Sequence, residues 1–260
     1  MQHTRQQNNE SILQQLEPDG FSYLDNFCEP ALTTQLLSVS REITADIKRT
    51  LGKRQIGVGS RAGYREIVQR SPGRWDVPIT PEQFSVDHTR MPWWPLITAV
   101  LGENAEHAFS GVVTSEPGSD EQFWHIDSPH ETVEHASAHA INLFVALTDI
   151  PMLMGPTEFA CGSHRLTNHL FNPALAVDQL LYQHTNTSPA MLKTAPEQAT
   201  PVRHSSAVSA GSCLIFDDRI MHRGLANQTS KTRHLAYFSY KRQGYLPYTH
   251  FESTRSLFKS

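Results

Sequence analysis

Gln122-Phe123-Trp124-His125-Ile126-Asp127 is the stretch whose reading decides the fold. It alternates as a strand does, and residues two apart on a strand share a face. His125 and Asp127 therefore point the same way, while Trp124 points into the opposite layer and is expected in the core. Upstream, His107 to Thr114 reads as another strand, and Pro117-Gly118 as the turn between the two. Downstream, Ala140 to Asp149, Pro156 to Ala160, Val202 to Val208, Cys213 to Phe216 and Arg233 to Tyr240 carry the same β texture. Helical signals lie mostly before this block. Ser11 to Glu17 predicts a short helix ended by Pro18-Asp19-Gly20, and Phe21 with Tyr23 predicts a strand. Pro30 opens a stripe of Leu32, Leu36, Val39, Ile43, Ile47 and Leu51, closed by Gly52, which predicts an amphipathic helix. Met91 to Leu101 predicts another, interrupted by Pro92 and Pro95, and 173–182 a helical insert. Residues 53–90 have no sustained period and read as loops and short pieces. Helices followed by many strands indicate a mainly β, α+β architecture: a barrel with N-terminal buttressing helices. The expected organisation is a flexible N-terminus over 1–10 and a single domain over 11–260. Within it, 11–105 is a helical and loop or lid part and 106–242 the barrel core.

The chemistry follows from the same strand. With 14 histidines in 260 residues, about 0.6 His-x-Asp triplets arise by chance. His125-x-Asp127 alone is therefore weak. A third ligand has to come from elsewhere, and His222 is the best candidate. It follows the strand Gly211 to Phe216 across the loop Asp217-Asp218-Arg219. Two imidazoles and one carboxylate are the facial triad of non-haem Fe(II) oxygenases, which leaves adjacent positions for a cosubstrate and O2. Arg233 opens the strand eleven residues later. A guanidinium grips a carboxylate through two parallel hydrogen bonds, so a keto diacid such as 2-oxoglutarate could chelate the metal at one end and meet Arg233 at the other. Singly, each of these residues is as readily a core histidine, a capping aspartate or a surface ion pair; their order along the chain is what carries the reading.

That order resembles a family. His125-x-Asp127, the run Gly155 to Arg165, Gly211-Ser212 leading to His222, then Asn227 and Arg233, with an early Asp19-Gly20-Phe21, is similar to the phytanoyl-CoA dioxygenase-like branch of the Fe(II)/2-oxoglutarate oxygenases. The resemblance spans roughly residues 16–242. It implies a double-stranded β-helix, a jelly-roll barrel of the cupin kind. It implies iron on His125, Asp127 and His222 as the catalytic centre, with 2-oxoglutarate held by Arg233, Gln122 and Thr157. It implies oxidation of an unactivated C–H bond, by hydroxylation first and otherwise by desaturation, epimerisation or cyclisation. Halogenating members lack the carboxylate ligand, and Asp127 argues against that chemistry. Met154-Gly155 departs from the usual Asn-Gly of the segment.

Composition narrows partners. Lys plus Arg is 22 and Asp plus Glu is 26, a net charge of −4, which argues against a nucleic-acid binder. No apolar run is long enough to span a membrane, and the N-terminus lacks an apolar signal core, so an intracellular, cytoplasmic protein is expected. Cys28, Cys161 and Cys213 are odd in number and read as free thiols. Residues 52–75 carry six basic side chains against Glu66 alone. Most such runs are solvated, yet Arg61, Tyr64, Arg65 and Arg70 are candidates for contacting a substrate, taken to be a small biosynthetic intermediate carrying a carboxylate. His130 to His135 has the wrong spacing for a zinc-protease pair, and is expected to be a solvated loop over the mouth. Two rival readings keep the barrel. In one, zinc or manganese drives hydrolysis or isomerisation; in the other, the barrel binds a ligand without catalysis.

Overall fold

The computed structural model describes residues 2–132, 134–166, 202–246 and 255–258. Helix α1 (Gln2–Asp19) leads into strand β1 (Phe21–Leu24) and helix α2 (Pro30–Leu51). Strands β2 (Val68–Ser71) and β3 (Arg74–Pro78), helix α3 (Trp94–Leu101), then β4 (Glu106–Ser115), β5 (Ala140–Ala146), β6 (Thr157–Ala160), β7 (Arg203–Ser205), β8 (Cys213–Asp217), β9 (His222–Gly224) and β10 (Arg233–Lys241) complete the order. The strands make a seven-stranded sheet, β1-β8-β5-β10-β4-β3-β2, and a three-stranded sheet, β7-β6-β9. Every pairing within them is antiparallel. This is the double-stranded β-helix that the resemblance implies.

Alternation along β10 separates two cores. Ala236, Phe238 and Tyr240 face the helices and pack with Leu36, Ile47, Trp93 and Ile97. Leu235 faces the other way, into the barrel, with Phe21, Ala146, Phe159, Leu214 and Phe216. Trp93 Nε1 donates to Tyr240 Oη (2.8 Å), which satisfies both buried polar tips of the outer core. The buried line of α2 is Thr33, Leu36, Ser40, Thr44, Ile47 and Leu51. The expected stripe is thus rotated: Leu32, Val39 and Ile43 are only partly buried, and small hydroxyl residues take the centre.

Several elements differ from expectation. Helix α1 starts at Gln2, well before Ser11 and within the segment expected to be flexible. Pro95 sits in the first turn of α3, where its missing N–H is no loss, so it opens that helix instead of interrupting it. Within 53–90, β2 and β3 form a hairpin that extends the main sheet; its signal is Pro72-Gly73, with Gly73 at φ 74°. Gln122–Asp127 is extended but is no ladder strand, since its only bridge joins His125 to His222. The helical insert over 173–182 falls outside the described residues. In the 130–135 loop His135 is exposed as expected, whereas His130 is buried, as is His139 just beyond it.

Candidate metal and cosubstrate site

His125, Asp127 and His222 meet inside the barrel, each offering one ligand atom within 4.8 Å of the others. Asp127 lies 4.0 Å from His125 Nε2 and 3.8 Å from His222 Nε2 through its two oxygens. Four backbone bonds hold the segment there: Gln122 N donates to Gly224 O (2.9 Å), His125 and His222 exchange N–H···O bonds (3.1 and 2.9 Å), and Asp127 N donates to Asp218 O (2.9 Å). Nδ1 of His125 faces Phe123 O (2.8 Å), and Nδ1 of His222 faces Ile220 O (3.0 Å). A ring nitrogen opposite a carbonyl must carry the proton, so both Nε2 lone pairs are free for a ligand role. Burial, and after it the adjacent His222 ring, pushes the His125 pKa down to about 4. A neutral imidazole at ordinary pH is the form a cation needs. Asn142 Nδ2 donates to Asp127 Oδ2 (2.6 Å), and Ser239 Oγ donates in turn to Asn142 Oδ1. The carboxylate is thereby oriented from the wall of the main sheet.

Behind the triad lies a cationic row. Arg74, Ser115 and Arg233 are neighbours across β3, β4 and β10, in direct register, so their side chains share the inner face. All three are fully buried. Arg233 Nη1 donates to Gly155 O; Arg74 donates to Leu225 O (2.7 Å), Asp120 O (3.3 Å) and Gln122 Oε1 (3.3 Å). Yet Arg74 Nε, Arg233 Nε and Ser115 Oγ have no partner. Burial lowers the pKa of both guanidiniums, Arg74 to about 10 and Arg233 well below its usual range, the latter also through Arg74 itself. Among the described residues no carboxylate is in ion-pair contact with either guanidinium, although the Glu121 charge acts on Arg74; two buried cations with unused donors are costly unless an anion completes them.

Gly224 joins the two halves. It shares a face of β9 with His222, pairs with Thr157 on β6, and donates its N–H to Gln122 Oε1 (3.1 Å). A Cβ at this position would stand 1.7 Å from Arg74 Nη1, so only glycine admits the arginine. Gln122 and Thr157 thus flank one backbone position next to the cationic row. Sequence reasoning placed Gln122, Thr157 and Arg233 here but missed Arg74, Ser115, Gly224, Asn142 and Ser239. Arg74 was legible only through the hairpin, because its register opposite Ser115 is what brings it in.

The basic stretch is largely structural. Arg65 bonds Glu66 (2.9 Å) and Ser256 (3.3 Å), and Tyr64 lies under Arg255 (4.2 Å). Both therefore fasten residues 255–258 to the barrel. Arg61 sits in an exposed turn. Arg70 pairs with Asp76 (2.8 and 2.5 Å), which also accepts from Tyr237 Oη (2.8 Å). Of the four, Arg70 is the one whose charge reaches His125. Trp124 is buried as expected, under Arg223 at 4.9 Å.

The sequence profile of the Phytanoyl-CoA dioxygenase (PhyH) family matches residues 16–235. The chain belongs to this family. Members of this family are dioxygenases that depend on Fe(II) and 2-oxoglutarate. Dioxygenase easH of Epichloe festucae var. lolii is 27% identical over 125 residues, 46% of this chain and 54% of that protein. The chain thus aligns with about half the length of this relative. The fold matches the epimerase SnoN in complex with Fe3+, alpha ketoglutarate and nogalamycin RO (TM-score 0.59, 18% identity, 90% of this chain and 84% of that one). It also matches EctD from S. alaskensis with bound Fe (TM-score 0.63, 16% identity, 94% and 80%). Among the described residues no helix is long and apolar enough to cross a membrane.

Proposed function

We propose that this dioxygenase binds Fe(II) through His125, Asp127 and His222, and holds 2-oxoglutarate on Arg233, Arg74 and Ser115, with Gln122 and Thr157 beside it. The reaction is oxidation of an unactivated C–H bond in a small organic molecule, hydroxylation in the first instance. The observation that carries this reading is the pairing of the triad with a buried, anion-deficient arginine row in one barrel. The donor set suits iron: two neutral imidazoles and a carboxylate occupy one side and leave the other for a chelating keto acid and O2. Bound iron supplies the O2 activation by which 2-oxoglutarate becomes succinate and CO2 while the substrate is oxidised.

The chain's own residues do the positioning. The carbonyls of Phe123 and Ile220 keep the protons on Nδ1 and so present Nε2 to the metal. Asn142 holds Asp127 Oδ2. The two guanidiniums meet the far carboxylate of the diacid, and the apolar cluster of Phe21, Phe159, Phe216 and Leu235 keeps water from that end of the barrel. Access is from the other end, where Asp127 and Phe109 are exposed.

Anaerobic titration with Fe(II) and 2-oxoglutarate tests the assignment through its visible charge-transfer band. The wild-type protein develops the band, and His222→Ala does not, while its circular dichroism is unchanged. A band of full intensity in His222→Ala sinks the ligand assignment.

A further inference from the structure

Ser128, His139 and Asp218 are buried together at the residue that follows Asp127, and none of the roles above uses their side chains. Ser128 Oγ donates to Asp218 Oδ2. That spends the hydroxyl proton, so His139 Nε2, 2.9 Å from Ser128 Oγ, is the donor of the second bond. The same Nε2 stands 3.4 Å from Asp218 Oδ1. The Arg219 guanidinium, held on Asp217 (2.6 Å), adds a cation nearby. The buried acid is thus answered from within the protein.

What the cluster touches decides its use. Asp218 O accepts from both Asp127 N (2.9 Å) and Ser128 N (3.3 Å). Main chain and side chain therefore clasp the same two residues, Ser128 and Asp218. Asp218 lies in the turn that joins β8 to β9, and β9 opens on His222. The clasp ties the segment that carries one ligand to the turn that delivers another, and the two ligands stand 3.8 Å apart. His139 closes it from a third direction, just before β5. That ring is itself set: it stacks on Tyr245 (4.2 Å), and its carbonyl accepts Arg242 N (2.8 Å). Buried polar groups bonded to one another rigidify the chain around them. Asn142 turns the Asp127 carboxylate, whereas the clasp fixes where the Asp127 main chain stands.

We propose that Ser128, His139 and Asp218 are positioning residues for the metal: together they set the spacing between Asp127 and His222, and with it the grip of the site on the cation. The proposal rests on the metal assignment made above. It requires no contact between the cluster and either substrate or cosubstrate, only that a ligand held by locked neighbours binds more tightly than one that is free to shift.

The test strips full-length protein of metal and titrates it anaerobically with Fe(II) against a chelator of known affinity, then adds 2-oxoglutarate and records the visible band. Ser128→Ala removes the hydroxyl and little else. His139→Leu removes the donor and keeps an apolar body, and His139→Gln returns an amide N–H at the reach of Nε2. In Ser128→Ala and His139→Leu the dissociation constant for Fe(II) rises about tenfold or more, the effect of losing an outer partner of a ligand. The band moves from its wild-type position in both, and His139→Gln recovers most of the loss. A cluster that only stabilises the fold would lower the melting temperature of the metal-free protein and leave affinity and band alone. Unchanged affinity in Ser128→Ala, a weaker affinity with the band unmoved, or a His139→Gln no better than His139→Leu overturns the proposal. Ser128→Ala decides alone if His139→Leu does not fold. Wild-type protein that binds no Fe(II) sinks the metal assignment, whereas normal wild-type binding with an undisturbed Ser128→Ala sinks only the clasp.

Discussion

The two ends of the barrel interior are built differently. At the closed end, Arg74, Ser115 and Arg233 form one row of the sheet, all fully buried, with Gly224 shaped to admit Arg74. At the mouth, Asp127 is exposed, His125 half-buried, and Phe123 is 73% exposed beside them. The closed end is over-determined: each residue is fixed by register, by a backbone carbonyl, or by the lack of a Cβ. The mouth is held by single hydrogen bonds such as Asn142 to Asp127. A site that must bind the same diacid at every turnover can be rigid. A site that must admit substrate and release product keeps exposed groups and fewer restraints.

The largest expected effect is at the closed end. Arg233→Met leaves the cavity filled but removes a buried cation. The dissociation constant for 2-oxoglutarate should rise by about a hundredfold or more, since losing one partner of a buried charge pair costs about 2–5 kcal/mol. Isothermal titration of the nickel-loaded protein measures it. An effect below about fivefold would mean that Arg74 is the principal anchor. Gly224→Ala comes next. Its Cβ must displace Arg74, so stability falls by about 1–3 kcal/mol, as for an overpacked core, and 2-oxoglutarate binding weakens while metal binding persists. Urea denaturation and the same titration read both.

At the mouth the effects are smaller. Asn142→Ala removes one hydrogen bond from the Asp127 carboxylate, and outer partners of this kind typically contribute about 10–100-fold in metal affinity. The low end, about tenfold, is expected here because Asp127 is already exposed to water. Competition with a chelator of known affinity measures it, and an unchanged affinity would show that solvent orients the carboxylate as well as Asn142 does.

The difference between the ends also explains what could be read from the linear chain. His125, Asp127, His222 and Arg233 were legible because their order and spacing are fixed by where the strands start and stop. Ser115 and Arg74 were not, since their meaning lies in cross-strand register, which local periodicity does not encode. In the basic stretch, Arg70 has a partner in Asp76, one residue beyond the window in which the charges are counted. In general the barrel's layers were readable from alternation, and the short strand β9 was not, because three residues are too few to show a period.

The smallest effect expected is in the pH dependence of the metal-free protein, and it touches both ends. His107 lies near the start of β4 at the mouth, and His234 near the start of β10 at the closed end. Burial pushes each pKa down to about 4, reinforced by His88 for the first and by Arg41 for the second. The ring nitrogens His107 Nε2 and His234 Nδ1 are buried without partners, so a proton there gains no hydrogen bond. In the unfolded chain these rings take up a proton near the ordinary value of about 6.5, whereas in the folded chain they stay neutral until about pH 4. The unfolded state therefore binds more protons between those limits, and stability falls as the pH drops through that window. Replacing either histidine with asparagine removes its share of the loss. Melting temperatures of the apoprotein between pH 7.5 and 5 should fall less steeply in His107→Asn and His234→Asn than in the wild type, by about 2–4 °C at the acid end. Both rings are half-buried, so the two variants should show changes of similar size; a clearly larger change in one would mean that its end of the barrel limits acid stability.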